Sequence, residues 1–254
     1  MRSKTKSTIA CILAGILLVA CIGAAGLLIQ SRSAATSFDP SPSLAVEDAD
    51  DGFPTVDWEY WQGVNPDIIG WVIVPGTSID YPVVQAHADA PTWYLSHDVY
   101  GSWNIYGCPY LDADCEEEGF DSQVAYVFAH HMDDGSMFAP LASLDPGECS
   151  EILLQTPEEK MRLEICAVDI VNAWSELKQV DFPSDAAFQQ WVHDVPGHAD
   201  AVIEIPEGTG SIKAFVTCSY NYSSDERTIV YAADGHQESH RVEEGYSGSK
   251  GVTR

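Results

Sequence analysis

A thiol, a guanidinium and a pair of imidazoles are the groups in this chain best suited to covalent chemistry. Cys218 closes the apolar run Ile212-Lys213-Ala214-Phe215-Val216-Thr217, and Arg227 opens the next one, Thr228-Ile229-Val230-Tyr231. The loop between them, 219 to 226, is polar. Two strand-like runs joined this way form a hairpin-like unit, so the thiol and the guanidinium can face one cavity. A guanidinium beside a thiol lowers its pKa or donates hydrogen bonds to a developing oxyanion. Taken alone, the two residues read more plainly as a structural thiol near an arginine paired with Asp225 or Glu226. A thiol nucleophile also needs a proton carrier. Of eight histidines, His130 and His131 stand out, because they follow the strand-like run 123–129 and precede the turn Met132-Asp133-Asp134-Gly135-Ser136.

Neighbours on a strand point to opposite faces, so only one of these histidines enters a given site. That argues against a metal held by the pair, and neither HExxH nor CxxC spacing occurs. The acidic run Asp112-Ala113-Asp114-Cys115-Glu116-Glu117-Glu118 lacks the spacing of a calcium loop. No metal and no cofactor are expected. Seven cysteines are present: Cys11 and Cys21 lie in an apolar segment, which leaves Cys108, Cys115, Cys149, Cys166 and Cys218. An odd number outside the cell leaves at least one free thiol. Cys108 with Cys115, and Cys149 with Cys166, are candidate pairs, and each of these four is equally readable as a buried thiol.

The elements that must position these groups are mostly strands. β-branched and aromatic runs fall near 71–74, 79–84, 106–111, 123–129, 151–155, 161–171, 212–218 and 228–232, separated by turn residues such as Pro75-Gly76 and Gly208-Thr209-Gly210. Leu163, Ile165 and Ala167 alternate with Arg162 and Glu164, as on a half-buried strand. Thr55 is the expected N-cap of a short helix containing Trp58 and Trp61 and closed by Gly63. A second helix is expected after Ser184, with Ala187, Trp191 and Val195 on its apolar face. Eight strands in one domain suggest a closed barrel with helices outside, although periodicity alone allows a sandwich.

Charge is unevenly spread. The net charge is −27, and all 39 acidic residues lie after Arg32 with only eight of the 12 basic ones. Such a domain repels nucleic acid and anionic lipid surfaces, so no nucleic-acid partner is expected. Before it, residues 8–29 form an uncharged apolar run of 22 residues, long enough to span a bilayer. Arg2, Lys4 and Lys6 precede it, which puts residues 1–7 in the cytoplasm and the rest outside. A cleaved signal and a lipoprotein signal ending at Cys21 are the alternatives, but residues 22–29 stay apolar where a lipoprotein turns polar. Residues 30–53 read as a flexible linker, 54–234 as the catalytic domain and 235–254 as a disordered tail.

Four segments together resemble the sortases, class B in particular. They are Asn65–Trp71 with Val74–Gln85; Tyr94-Leu95-Ser96-His97-Asp98 with Asn104 and Gly107–Asp112; Ala129-His130-His131-Met132 with Asp134–Phe138; and Val216-Thr217-Cys218 with Arg227. The chain departs from the family's usual residues at Ala129, His131 and Cys108-Pro109-Tyr110. The resemblance implies an eight-stranded sortase barrel with an N-terminal helix or helices and one helix before the penultimate strand. It implies a membrane-anchored transpeptidase of Gram-positive cell surfaces that cleaves a C-terminal sorting signal after Thr. The cleaved protein then passes to an amine on a cell-wall precursor or a pilin. By position, Cys218 is the nucleophile, His130 the acid and base, and Arg227 the oxyanion group. Asn104, Thr217, Ser223 and Ser224 are expected to line the peptide groove. A cysteine endopeptidase on the same barrel, or a catalytically silent surface-binding module, are the rival readings.

Overall fold

Alternating and doubly apolar runs in this sequence dictate strands, and the strands close on themselves. The computed structural model describes residues 51–234 except 146, 148, 174–177, 196–198, 203–204, 207 and 220–224. These residues fall in the second of the chain's two units, Glu47–Arg254. The expected anchor and tail lie outside the described residues, as does the linker up to residue 50. Among the described residues no helix is long and apolar enough to cross a membrane.

The strands are β1 (Ile68–Ile73), β2 (Asp80–Gln85), β3 (Tyr110–Leu111), β4 (Val124–Phe128), β5 (Glu151–Gln155), β6 (Lys160–Asn172), β7 (Ala201–Val202), β8 (Ile212–Cys218) and β9 (Glu226–Asp234). They pair in the order β5-β1-β2-β3-β4-β8-β9-β6, and β6 pairs back to β5, which closes an eight-stranded barrel. β7 is a two-residue addition on the flank of β6. All eight expected strands are present. The run expected over 106–111 is a strand only at its last two residues, because Gly107 takes φ +61° and breaks the extended path. β6 alternates buried and exposed as far as Ile165, where a bulge between Ile165 and Ala167 meets the register with β9. Beyond the bulge both faces are covered. β8 is buried on both faces too, including Lys213, whose Nζ donates to the Phe120 carbonyl and to Ser211 Oγ at 2.8 Å. Burial pulls that lysine's pKa down.

Two helices pack outside. In α1 (Trp58–Val64) the N-cap is Asp57 rather than Thr55, with its carboxylate accepting from Tyr60 N at 3.0 Å. Gly63 lies inside the helix, and Asn65 ends it. α2 (Asp185–Asp194) is capped by Ser184 as expected, Oγ accepting from Ala187 N at 3.2 Å. Its buried residues are Phe188 and Val192, one position on from the expected face, with Ala187 and Trp191 half-buried beside them. Trp191 packs edge-on against Tyr231 of β9 and so seats the helix on the barrel. Asp51 to Phe53, the end of the segment read as linker, are held against the barrel. Lys160 pairs with Asp51 at 2.8 Å, and Phe53 is buried beneath Lys160 and Arg162.

Candidate active site

Three neighbouring strands carry the three candidate groups to one rim of the barrel. β4 and β8 run parallel, with Phe128 opposite Val216, and Ala129 N continues the ladder to the Val216 carbonyl at 3.2 Å. Two residues further along this register His130 stands level with Cys218. On the other side β8 and β9 are antiparallel, and Cys218 pairs directly with Arg227. Paired residues share a sheet face, so the pairing lines up histidine, cysteine and arginine across adjacent strands. All three are half-buried.

The histidine segment is a locked hairpin. His131 and Met137 form an antiparallel bridge, Phe138 N donates to the His130 carbonyl at 2.9 Å, and Ser78 Oγ donates to the Gly135 carbonyl at 2.8 Å. Met137 takes φ 55°, a left-handed conformation that costs a side-chain-bearing residue about 1–2 kcal/mol and is held here by its neighbours. His130 Nε2 donates to the Leu95 carbonyl at 2.7 Å, and His131 Nδ1 donates to the Cys218 carbonyl at 2.8 Å. The two rings therefore serve different partners, as strand alternation requires. Arg227 Nη1 donates to the Glu226 carbonyl at 2.8 Å.

All five cysteines outside the apolar segment are free, so neither candidate disulfide forms. Burial pushes the Cys108, Cys115 and Cys149 thiols up, and Cys166 up to about 11, which keeps all four in the unreactive thiol form at neutral pH. Cys218, half-exposed at the end of β8, is the remaining thiol.

The expected groove residues fare unevenly. Ser223 and Ser224 lie outside the described residues. Thr217 is buried, and strand alternation turns it to the sheet face opposite Cys218. Asn104 is also buried, and its Oδ1 accepts from Tyr106 N at 3.0 Å, so it braces the loop beside Leu95 rather than presenting its amide to a groove. Sequence reasoning missed Tyr110. Its buried phenol is pushed up by desolvation and by the Asp112 charge, while the positive charge of Arg227 opposes this and Cys218 adds to it. Tyr110 thus lies within electrostatic reach of both the thiol and the guanidinium. The departure at Cys108-Pro109-Tyr110 was the available signal. Among the described residues no cluster of His, Cys, Asp and Glu is arranged to hold a metal ion.

No protein-family model matches the chain. Sortase B of Staphylococcus aureus is 23% identical over 184 residues, covering 69% of this chain and 73% of the relative. Sortase B of Listeria monocytogenes is 34% identical over 80 residues, covering 32% of this chain and 31% of the relative. Among solved structures, a Staphylococcus aureus sortase B–substrate complex superposes with TM-score 0.60 at 24% identity, covering 72% of this chain and 84% of that one. Clostridium perfringens sortase B gives 0.60 at 24% identity, covering 69% and 98%. A Bacillus anthracis protein similar to sortase B gives 0.61 at 24% identity, covering 74% and 87%. The barrel is a sortase barrel. Sequence relatives and site together identify the chain as a cysteine transpeptidase of the class B sortase type.

Proposed function

We propose that the protein cleaves a C-terminal sorting signal after Thr and passes the acyl group to an amine. The observation that carries this is the register that aligns His130, Cys218 and Arg227 across β4, β8 and β9. The Cys218 thiolate attacks the threonyl carbonyl carbon, and Arg227 donates hydrogen bonds to the oxyanion. The C–N bond breaks as His130 gives a proton to the leaving amine, which leaves a thioester on Sγ. An incoming amine then loses a proton to His130 and attacks the thioester, and the C–S bond breaks to restore the thiolate. The Staphylococcus aureus relative is named in complex with a substrate, and a second structure of sortase B is named in complex with triglycine. These support a peptide donor and an amine acceptor for this chain. The acceptor proposed is an amine of a cell-wall precursor or pilin. Residues 8–29 anchor the chain in the membrane with the barrel outside.

The test uses the full chain and peptides of the form x-P-x-T-x, with and without an added amine. Intact mass is expected to show a thioester adduct on Cys218 and, with amine, a transfer product. Cys218→Ala is expected to abolish both. Absence of an adduct with every peptide overturns the mechanism, and release of free acid alone in the presence of amine makes the protein an endopeptidase.

A further inference from the structure

The two adjacent histidines are held as opposite tautomers. A carbonyl oxygen only accepts, so the 2.7 Å bond to Leu95 exists only while His130 Nε2 carries a hydrogen. The neutral ring then keeps its free lone pair on Nδ1. His131 is reversed: its Nδ1 carries the hydrogen for the Cys218 carbonyl. We propose that the Leu95 carbonyl is the orienting group of this site. It fixes His130 as the Nε2–H tautomer, so that Nδ1 is the atom that gives and takes the proton, and Gly107 is the positioning residue that sets this carbonyl. The inference rests on His130 being the proton carrier of the reaction above.

The carbonyl is held from several sides. Leu95 ends a short turn, Trp93–Leu95, with Leu95 N bonded to the Thr92 carbonyl at 3.1 Å. Cys108 N donates to the Tyr94 carbonyl at 2.9 Å, and Asn104 N donates to the Ser96 carbonyl at 2.8 Å. The Tyr94 hydroxyl donates to Asp67 at 2.6 Å and accepts from Asn65 Nδ2 at 3.0 Å. The 104–108 segment closes directly behind Leu95, and only a glycine allows it. A Cβ on Gly107 would stand 2.3 Å from the Tyr94 carbonyl oxygen and 3.0 Å from the Leu95 carbonyl carbon and oxygen. Those are backbone atoms that cannot swing aside, and φ +61° already disfavours a side chain. A backbone carbonyl does not titrate, so it fixes the tautomer at every working pH. When Nδ1 takes a proton from the incoming amine, the ring becomes imidazolium and the bond from Nε2–H to Leu95 persists. The same proton leaves Nδ1 for the departing amine in the next cycle.

The test reads the tautomers directly by nitrogen NMR, on the full chain carrying isotope-labelled histidine and assigned through single His→Gln replacements. The neutral His130 ring is expected as Nε2–H and His131 as Nδ1–H; an Nδ1–H ring at His130 overturns the proposal. Gly107→Ala, checked for folding by circular dichroism, is expected to lower kcat by at least about tenfold with little change in KM, because a misplaced base costs the chemical step. It is also expected to mix the His130 tautomers. A folded Gly107→Ala protein with native kcat and an unmixed tautomer removes the role of Gly107. If that variant does not fold, the tautomer of the unmodified chain decides. The Nε2–H signature with no thioester on Cys218 overturns the proposed function and leaves the tautomer assignment standing.

Discussion

Five thiols outside the apolar segment are distinguished from one another by burial. Desolvation holds Cys108, Cys115, Cys149 and Cys166 in the neutral form, whereas Cys218 ends its strand at the rim. Brief treatment of the folded protein with iodoacetamide at about pH 7.5, below the ordinary thiol pKa, is expected to give one adduct, mapped to Cys218 by peptide mass; adducts spread over the others contradict this. Arg227→Ala is expected to lower kcat by about 10²–10³-fold, the usual loss for one oxyanion donor, with the barrel still folded. At this scale the sequence was informative about type and position. Cys218, His130 and Arg227 stood at strand ends, where apolar runs meet polar loops. Thr217 and Asn104 were misjudged as groove residues because a sequence does not say which face of β8 is toward the site, or that an Asx-type turn would bury an amide. Tyr110 was passed over because its link to the site runs through space, across strands far apart in sequence.

Between elements, local pattern predicts strands well and their partners poorly. The eight principal strands were legible as β-branched runs. β7, two residues long, has no periodicity to detect, and the buried face of α2 shifted by one residue because Phe188 outweighs Ala187 in buried area. The bulge in β6 was invisible, since it arises from matching β9. One element outside the strands supports the site, the turn Ala139–Ser143 that follows Phe138. Phe138 is fully buried and meets Phe215 of β8 edge-on at 6.2 Å. Phe138→Ala is expected to cost about 3–5 kcal/mol in denaturant unfolding. Loops are tied as well: His87 bridges Glu116 at 2.6 Å and Asp67 at 3.0 Å, and these carboxylates raise its pKa. A raised folded-state pKa means this contribution is complete below the unfolded value of about 6.5 and is lost as pH rises through the folded one. The Tm difference between the native protein and His87→Gln is therefore expected to be larger at about pH 6 than at about pH 9; a difference independent of pH removes the clasp.

Over the whole molecule, acidity is the dominant long-range property. With a net charge of −27, the protein draws cations toward its surface at a rate that salt suppresses. Transfer to a cationic acceptor peptide is expected to lose kcat/KM as ionic strength rises from about 0.02 to about 0.5 M, while a neutral acceptor stays nearly unchanged. Equal salt dependence for both would mean that the charge plays no part in capture. The parallel pairing of β4 with β8 has a consequence in time. It joins Val124 to Ile212, partners 88 residues apart (212 minus 124), so loop closure makes it a late contact. A growing chain carries its histidine long before its nucleophile, and the two meet only when β8 zips onto β4. Assembly itself acts as the safety catch: the thiol meets its proton carrier only in a finished barrel, and an unfinished chain has no means of acylating itself or its neighbours.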